Sequence, residues 1–456
     1  MKNMTLTNIA KACGGMLFSD SNLDIEAAGV VMDSRQVGRD YIFIASVGER
    51  VNGHDFIEEV FEKGALAVIC EKAPAKPDGP YILVDNSFQA LKDIAAWYRT
   101  QLDIKVVGIT GSVGKTSTKE FISSVLTQKY KVLKTEGNFN NEIGLPLTIL
   151  KISTEHEIAV LEMGISDFGE MHRLSKIAQP DLCVITNIGQ CHLENLGSRQ
   201  GILKAKSEIF DFMHEDGRVC INGDDDMLAT LTTIKGRKPV RFGLTQENDI
   251  TADHVISKGL FGSTCTIHLN HQAFTSEIPL PGSHMVLNAL AATAVGTLLD
   301  MIPEEIAAGI KAVKPVGGRS NIIRGEQYTI IDDCYNANPV SMKAALDLLS
   351  MADTRRVALL GDMGELGVNE AALHREVGNY AVKSNVDLLV CVGKLSENMF
   401  EGAEATRHEG KHTAVRYYTT REELIDALPD LLKPGDTILV KASHFMGFEH
   451  VVKAIE

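Results

Sequence analysis

Residues 106–121, VVGITGSVGKTSTKEF, carry a Lys-Thr pair behind a glycine, directly after an apolar run. Glycines let backbone N–H groups converge on phosphate oxygens, a lysine after them reaches the outer phosphates, and the adjoining hydroxyl can help hold Mg²⁺. Thr110, Gly111, Ser112, Val113, Gly114, Lys115 and Thr116 therefore form a candidate phosphate cradle. The longer form G-x-x-x-x-G-K-[ST] requires glycine at 109, where this chain has Ile109, so Gly111 opens a shorter loop. Three further residues can do chemistry. Glu162 closes the apolar run EIAVLEMG and could hold a metal directly or through water. His192, in TNIGQCHLENLGS, could join a metal site, although a lone loop histidine is ordinarily solvated. Lys206, in LKAKSEIF, reads locally as one of many helix-surface lysines.

The elements around these residues explain how they could meet. KVVGIT supplies a strand and STKEFISSVLTQKY a helix, so the Lys-Thr pair sits at a strand-to-helix turn, where the helix N-terminus adds positive potential. Apolar runs of strand length recur at KVLKT, EIAVLEMG, LCVITNIG and RVCING with helix-length spacers, which predicts a mostly parallel sheet covered on both faces. Glu162 then stands at a strand's C-terminal end, facing the ligand crevice. Residues 249–282 break this rhythm with short alternating strands, an antiparallel appendage, and the helix HMVLNALAATAVGTLLD follows.

Upstream, YIFIAS, LAVICE and YILVD alternate with helical patterns and the loop APAKPDGP, and the helix NSFQALKDIAAWYRTQLD ends this unit. Downstream of the joint KPVGGR, the runs YTIIDD, RRVALLGD, VDLLVCVG and DTILVKAS alternate with helices as in a Rossmann-like unit. The expected fold is α/β in three domains: a small mixed N-terminal domain (1–102), a central P-loop mononucleotide-binding domain with a parallel sheet and a small antiparallel appendage (103–314), and a C-terminal Rossmann-like domain (315–456). The length of 456 residues agrees with about three cores.

Composition narrows the partners. With 45 Lys+Arg against 60 Asp+Glu the net charge is −15, which repels polyphosphate backbones and argues against a nucleic-acid partner. No apolar stretch approaches the ~20 residues that span a bilayer, and the polar start MKNMTLTNIAKACGG has no secretory apolar segment, so no membrane insertion is expected and the cytoplasm is the expected location. The eight cysteines are scattered without a C-x-x-C pair and read as buried free thiols.

Taken together, TGSVGKTSTKE, TEGNFNNEIGLPLTIL, LEMGISDFGEMHRL, PDLCVITNIGQCHLENLGS and KAKSEIF resemble the Mur ligase family. DSRQVGRDYIFIASVGERVNGHDFI in the first domain is similar to the family's uridine-nucleotide domain, and DDCYNANPVSMKAAL with LLGDMGELGVNEAALHREVG to its C-terminal domain, so the likeness covers essentially the whole chain. YNANP and GDMxELG are more specific than the phosphate loop, and point to the members that add D-Ala-D-Ala to UDP-MurNAc-tripeptide. The resemblance implies ATP and two Mg²⁺ ions, with catalytic roles for Lys115, Asn141, His192 and Lys206. It implies that Thr116, Glu162, His192 and Lys206 surround the metals, with Lys206 carbamylated by CO₂. Asn288 matches an adenine contact, Arg319 a phosphate contact, Asp333 a ribose contact, and Asn336 and Asn338 lie on the ATP and dipeptide side. Ser34 and Arg35 fall near the uridine nucleotide. The implied chemistry passes through an acyl phosphate; separately, a monomer is expected, and closure of the third domain through a joint near 316–319 is expected to complete the site.

Departures from the family pattern are His284-Met-Val, Asn52-Gly-His54 and Lys441-Ala-Ser-His444, the last replacing an arginine at 444 by a residue without its guanidinium fork. Rival readings are a related ligase that adds one amino acid, a folylpolyglutamate synthase-like ligase, a GTPase-type module and a non-catalytic relative. The chain lacks the N-K-x-D tetrapeptide that reads guanine, which lowers the GTPase reading.

Overall fold

The computed structural model describes all 456 residues except 20–23, 49–50, 77, 270–271 and 408–411. Of the stretches singled out above, positions 49–50 of the N-terminal motif, 77 of the loop APAKPDGP and 270–271 of the hairpin region lie outside the described residues. Among the described residues three sheets follow one another along the chain.

The central sheet runs, edge to edge, 272–278, 263–269, 250–257, 240–242, 218–222, 182–185, 105–110, 158–162, 132–134. Its inner strands Lys105–Thr110, Ile158–Glu162 and Leu182–Ile185 are parallel and almost wholly buried. That is why they read as unbroken apolar runs rather than alternating ones. Ser263–Leu269 lies in the antiparallel part and alternates buried and half-buried positions. The antiparallel strands do not form a separate body; they extend the same sheet at one edge through the pair Phe242 and Ile250. From Lys105–Thr110 the chain goes first to one side of the sheet and then to the other, so the phosphate loop leaves the sheet at its topological switch point.

The N-terminal sheet has the order 16–18, 81–83, 67–70, 41–44, 29–31, with only the first pair antiparallel. It shares a core with the central sheet: Leu91, Ile94 and Tyr98 of the helix Ser87–Thr100 pack in one apolar cluster with Leu145, Ile149 and Met171. Buried Arg99 on that helix donates to the carbonyls of Ala178 and Gln179 and pairs with Asp181 at 3.1 Å.

The C-terminal sheet has the order 321–324, 329–332, 437–441, 356–361, 388–392, 414–418, parallel apart from the first pair. Strands Asn321–Arg324 and Ala414–Tyr418 were not legible as apolar runs, being short and largely half-exposed at the edges. This sheet is packed by clusters of its own. The link from the helix Pro303–Lys311 is a turn in which Val316 bridges Arg319. All eight cysteines are free, and all but Cys13 are buried.

Candidate functional site

A cleft of about 690 Å³ opens between the phosphate loop and the C-terminal sheet. Its lining includes Ser112, Val113, Gly114, Lys115, Thr116, Asn141, Glu162, His192, Asn288, Arg319, Asp333, Asn336 and Asn338. Thr110, Gly111 and Lys206 do not line it, Thr110 and Lys206 being buried, and Ser34 and Arg35, in a turn of the N-terminal region, do not line it either.

The phosphate loop is braced by its neighbouring strand end. Ser112 N–H donates to the Asn187 carbonyl, Val113 N–H to Asn187 Oδ1 at 3.0 Å, and the Thr186 hydroxyl to the Val113 carbonyl at 2.7 Å. Gly111 makes this possible: a Cβ there would stand 1.9 Å from Thr186 Oγ1, and its φ of 155° lies where side chains are strained. The helix Lys115–Leu126 begins after Gly114 with no side-chain cap, so its first N–H groups remain open to the cleft. These amides and the helix dipole make an anion site. Lys115 Nζ donates back to the Gly111 carbonyl at 2.9 Å, poised over the same loop. Thr110 contributes a buried hydroxyl with no partner among the described residues.

Glu162 is 1 % exposed. Its carboxylate accepts from the Thr116 hydroxyl at 2.8 Å and from Asn140 Nδ2 at 2.9 Å. Asn140 was passed over in favour of Asn141; the doubled asparagine of NFNNEIG was the available signal. Asn141 lines the cleft but directs Oδ1 at the N–H groups of Ile143 and Gly144, capping the next helical turn.

Lys206 corrects its local reading as a surface lysine, because it is 1 % exposed. No hydrogen-bond or ion-pair partner is present for its amine among the described residues. Desolvation, helped by the nearby charge of Lys115, brings its pKa down to about 8. A hydrophilic sequence context concealed this, since the helix Arg199–Ser207 buries only Ile202, Ala205 and Lys206.

His192 is half-buried and is not simply solvated: its Nδ1 pairs with Glu365 Oε2 of the C-terminal domain at 2.7 Å. Among the described residues no three His, Cys, Asp or Glu side chains gather into a ready metal cage. The oxygen donors at hand, the Thr116 hydroxyl and the Glu162 carboxylate, nevertheless suit a hard divalent cation that keeps water and takes substrate oxygens as further ligands.

The other wall of the cleft comes from the C-terminal sheet. Asp333 accepts from Ser320 N–H at 2.8 Å and is ion-paired with buried Lys441, which also donates to the Asn336 carbonyl at 2.9 Å. Asn336 Oδ1 accepts from Ala337 N–H, and Asn338 caps the helix Pro339–Ser350. Arg319 has no hydrogen bond from its guanidinium among the described residues; it lies over the ring of Tyr335 at 4.0 Å, and His444 stacks against that ring with centroids 5.4 Å apart. Its donors thus face the cleft unengaged. Tyr335 is a second residue that sequence reading passed over. Facing this wall, Asn288 Oδ1 accepts from the Thr118 hydroxyl at 2.9 Å, and burial lowers the pKa of His284 one turn before it.

A second cavity of about 480 Å³ in the N-terminal domain is lined by Asn52, His54, Glu71 and Lys72. The ring of His54 bridges Asn52 Oδ1 at 3.0 Å and Glu71 N–H at 3.1 Å. The Arg35 guanidinium does not line this cavity and is engaged by Asp33, whose carboxyl it holds down at about 2.

Comparison with known proteins matches the family profiles "Mur ligase family, catalytic domain" at residues 26–99, "Mur ligase middle domain" at 109–296 and "Mur ligase, glutamate ligase domain" at 318–444. The chain is 39 % identical to the UDP-N-acetylmuramoyl-tripeptide--D-alanyl-D-alanine ligase of Bacillus subtilis, over 99 % of this chain and 98 % of that protein. It superposes on a crystal structure of MurF from Acinetobacter baumannii with a TM-score of 0.89, 30 % identity and 98 % of each chain covered. A MurF ligase from Thermotoga maritima in complex with ADP gives a TM-score of 0.81 at 30 % identity, over 93 % of this chain and 96 % of that one.

Proposed function

Since this chain belongs to the Mur ligase family, we propose that its cleft joins D-alanyl-D-alanine to UDP-N-acetylmuramoyl-tripeptide with conversion of ATP to ADP and phosphate. The observation that carries this reading is the two-sided cleft, in which Lys115, Thr116 and Glu162 of the central sheet face Arg319 and Asp333 of the C-terminal one.

The chemical problem is one of repelling charges. A peptide carboxylate must approach the γ-phosphate, take the phosphoryl group as an acyl phosphate, and then lose phosphate to the amine of the dipeptide. Like charges have to be neutralised and held in line for the first step. The open amides after Gly114 and the Lys115 amine bind the polyphosphate, and Arg319 supplies a planar fork matched to phosphate oxygens. Asn288 on one wall and Asp333 on the other bracket the nucleoside end.

Mg²⁺ would be held by Thr116 and Glu162, with His192 and Lys206 completing a pair of ions, and it would screen the phosphate charge during transfer. Supporting a role for Lys206 is its desolvated, unpartnered amine, whose pKa near 8 leaves an appreciable neutral fraction that can add CO₂ and release a proton. The carbamate so formed would give the site a carboxylate in place of a cation. At the other end, Ser34 and Arg35 would receive the uridine nucleotide, with Arg35 exchanging Asp33 for a phosphate. We further assign the enzyme to the cytoplasm as a monomer; no helix among the described residues is long and apolar enough to cross a membrane.

The test is phosphate release measured with each substrate omitted in turn, and with D-glutamate, meso-diaminopimelate or L-lysine in place of the dipeptide. Release that needs the UDP-tripeptide and D-alanyl-D-alanine together is the expected result. Equal release with ATP alone would reduce the protein to a plain nucleotidase.

A further inference from the structure

The segment GDMGELG is built as an arm, and nothing in the reaction just described uses it. It follows the strand Arg356–Gly361 at that strand's C-terminal end. Asp362 Oδ1 accepts from Ser396 N–H and Oγ at 2.7 Å each, and Gly364 N–H donates to Ser443 Oγ at 2.9 Å. Met363 and Leu366 are buried in the C-terminal core. Met363 N–H also donates to Nε2 of the fully buried His374, whose Nδ1 reaches the Glu370 carbonyl at 2.7 Å. The motif's Asp, Met and Leu thus fasten the loop, and only Glu365 leaves it, with a side chain 64 % exposed.

Glu365 crosses to the central domain and meets His192 Nδ1 at 2.7 Å. Both residues hold left-handed backbones, φ 60° at Glu365 and 49° at His192, a strained state for side chains of this kind. Strain of this sort persists where the surroundings over-determine it, and it gathers at functional sites. A contact so exposed adds little to stability, so its value has to lie in position. A carboxylate on Nδ1 keeps the proton there and leaves the Nε2 lone pair for whatever stands in the cleft, the arrangement that orients ligating and proton-accepting imidazoles.

We infer that Glu365 is a positioning residue which sets the tautomer and ring orientation of His192, so that the central-domain imidazole is ready only when the C-terminal domain is docked. This rests on the ligase reading for its consequence, whereas its physical readout needs no substrate. The experiment records ¹⁵N-imidazole NMR of the full-length protein at mildly alkaline pH, where an ordinary imidazole is neutral. The His192 signal is assigned by its loss in His192→Gln. The wild type is expected to show the Nδ1–H form. Glu365→Ala is expected to shift His192 toward Nε2–H and to lower kcat by about tenfold to a hundredfold. Glu365→Gln retains an acceptor oxygen and is expected to restore the tautomer and most of kcat, with thermal melts showing that both variants fold. An unchanged tautomer in Glu365→Ala overturns the inference, as does a Gln variant that keeps the Nδ1–H form yet is as slow as Ala. If the tautomer responds as expected while no ligase activity exists in the wild type, the proposed reaction fails and the positioning geometry stands.

Discussion

The N-terminal and central domains are welded together, whereas the central and C-terminal domains meet through side-chain tips. At the first junction, one helix inserts Leu91, Ile94 and Tyr98 into a core continuous with the central sheet, and the Arg99 guanidinium is buried among carbonyls and Asp181. At the second junction, the contacts include His192 with Glu365, Ser257 Oγ with Met351 Sδ at 4.0 Å, Phe261 under Arg324 at 4.1 Å, and Leu260 resting on the C-terminal core. Phe261 is itself 63 % exposed. Buried apolar area holds the first pair as one body; the second pair can separate without opening a core. From this difference we propose that the C-terminal domain, which carries Arg319, Asp333 and Glu365, is the part that moves in the reaction cycle.

The comparison breaks most visibly at Arg99. Arg99→Met leaves the Ala178 and Gln179 carbonyls without their donor and Asp181 with Lys105 as its remaining cation, so a loss of about 3–5 kcal/mol is expected in urea unfolding. If the loss is below 1 kcal/mol, the first junction is not the weld described.

Next in size is Lys206, on the rigid side of the cleft. Its folded pKa of about 8 lies below the ordinary 10.5, so the buried charge penalises the fold fully below pH 8. The unfolded chain binds more protons between the two values, and wild-type stability therefore rises with pH across that window. In CO₂-depleted buffer Lys206→Met is expected to be the more stable protein at neutral pH by on the order of 3 kcal/mol, with the lead shrinking toward pH 10.5. The same variant should lose ligase activity, which separates stability from chemistry. A Met variant less stable than wild type at neutral pH would contradict the desolvation argument.

On the movable side, Arg319→Lys keeps the charge and loses the planar fork that stacks on Tyr335. An approximately thirtyfold fall in kcat/KM is expected, about 2 kcal/mol, with melting unchanged. Tyr335→Leu should reproduce part of it. Equal activity in Arg319→Lys would make the stack irrelevant. The smallest effect belongs to Phe261→Ala, which removes an exposed cation–π contact worth about 0.5–1 kcal/mol across the second junction. A rise of a few-fold in KM for ATP with kcat preserved would sharpen the comparison, and small-angle scattering with and without an ATP analogue would measure the accompanying opening.

Much of this was readable in advance because it is local. An apolar hexapeptide followed by glycines, lysine and threonine can only become a strand, a tight turn and a helix N-terminus, so the cradle around Lys115 follows from adjacent residues. The inner strands were legible for the same reason: burial on both faces leaves an uninterrupted apolar run. Edge strands such as Ala414–Tyr418 bury only part of themselves and leave a weaker trace.

What tertiary structure alone decided lies between segments far apart in the chain. Lys206 differs from its neighbour Lys204 only by which face of its helix is covered, and no local pattern distinguishes a lysine that loses its water from one that keeps it. Arg319 finds Tyr335, Tyr335 finds His444, Glu162 finds Asn140, and His192 finds Glu365 across a domain junction, far from it in the chain. Sequence determines which groups are available and which short turns they occupy. Solvent exclusion, and the pairing of charges it brings about, exist only once the sheets have packed.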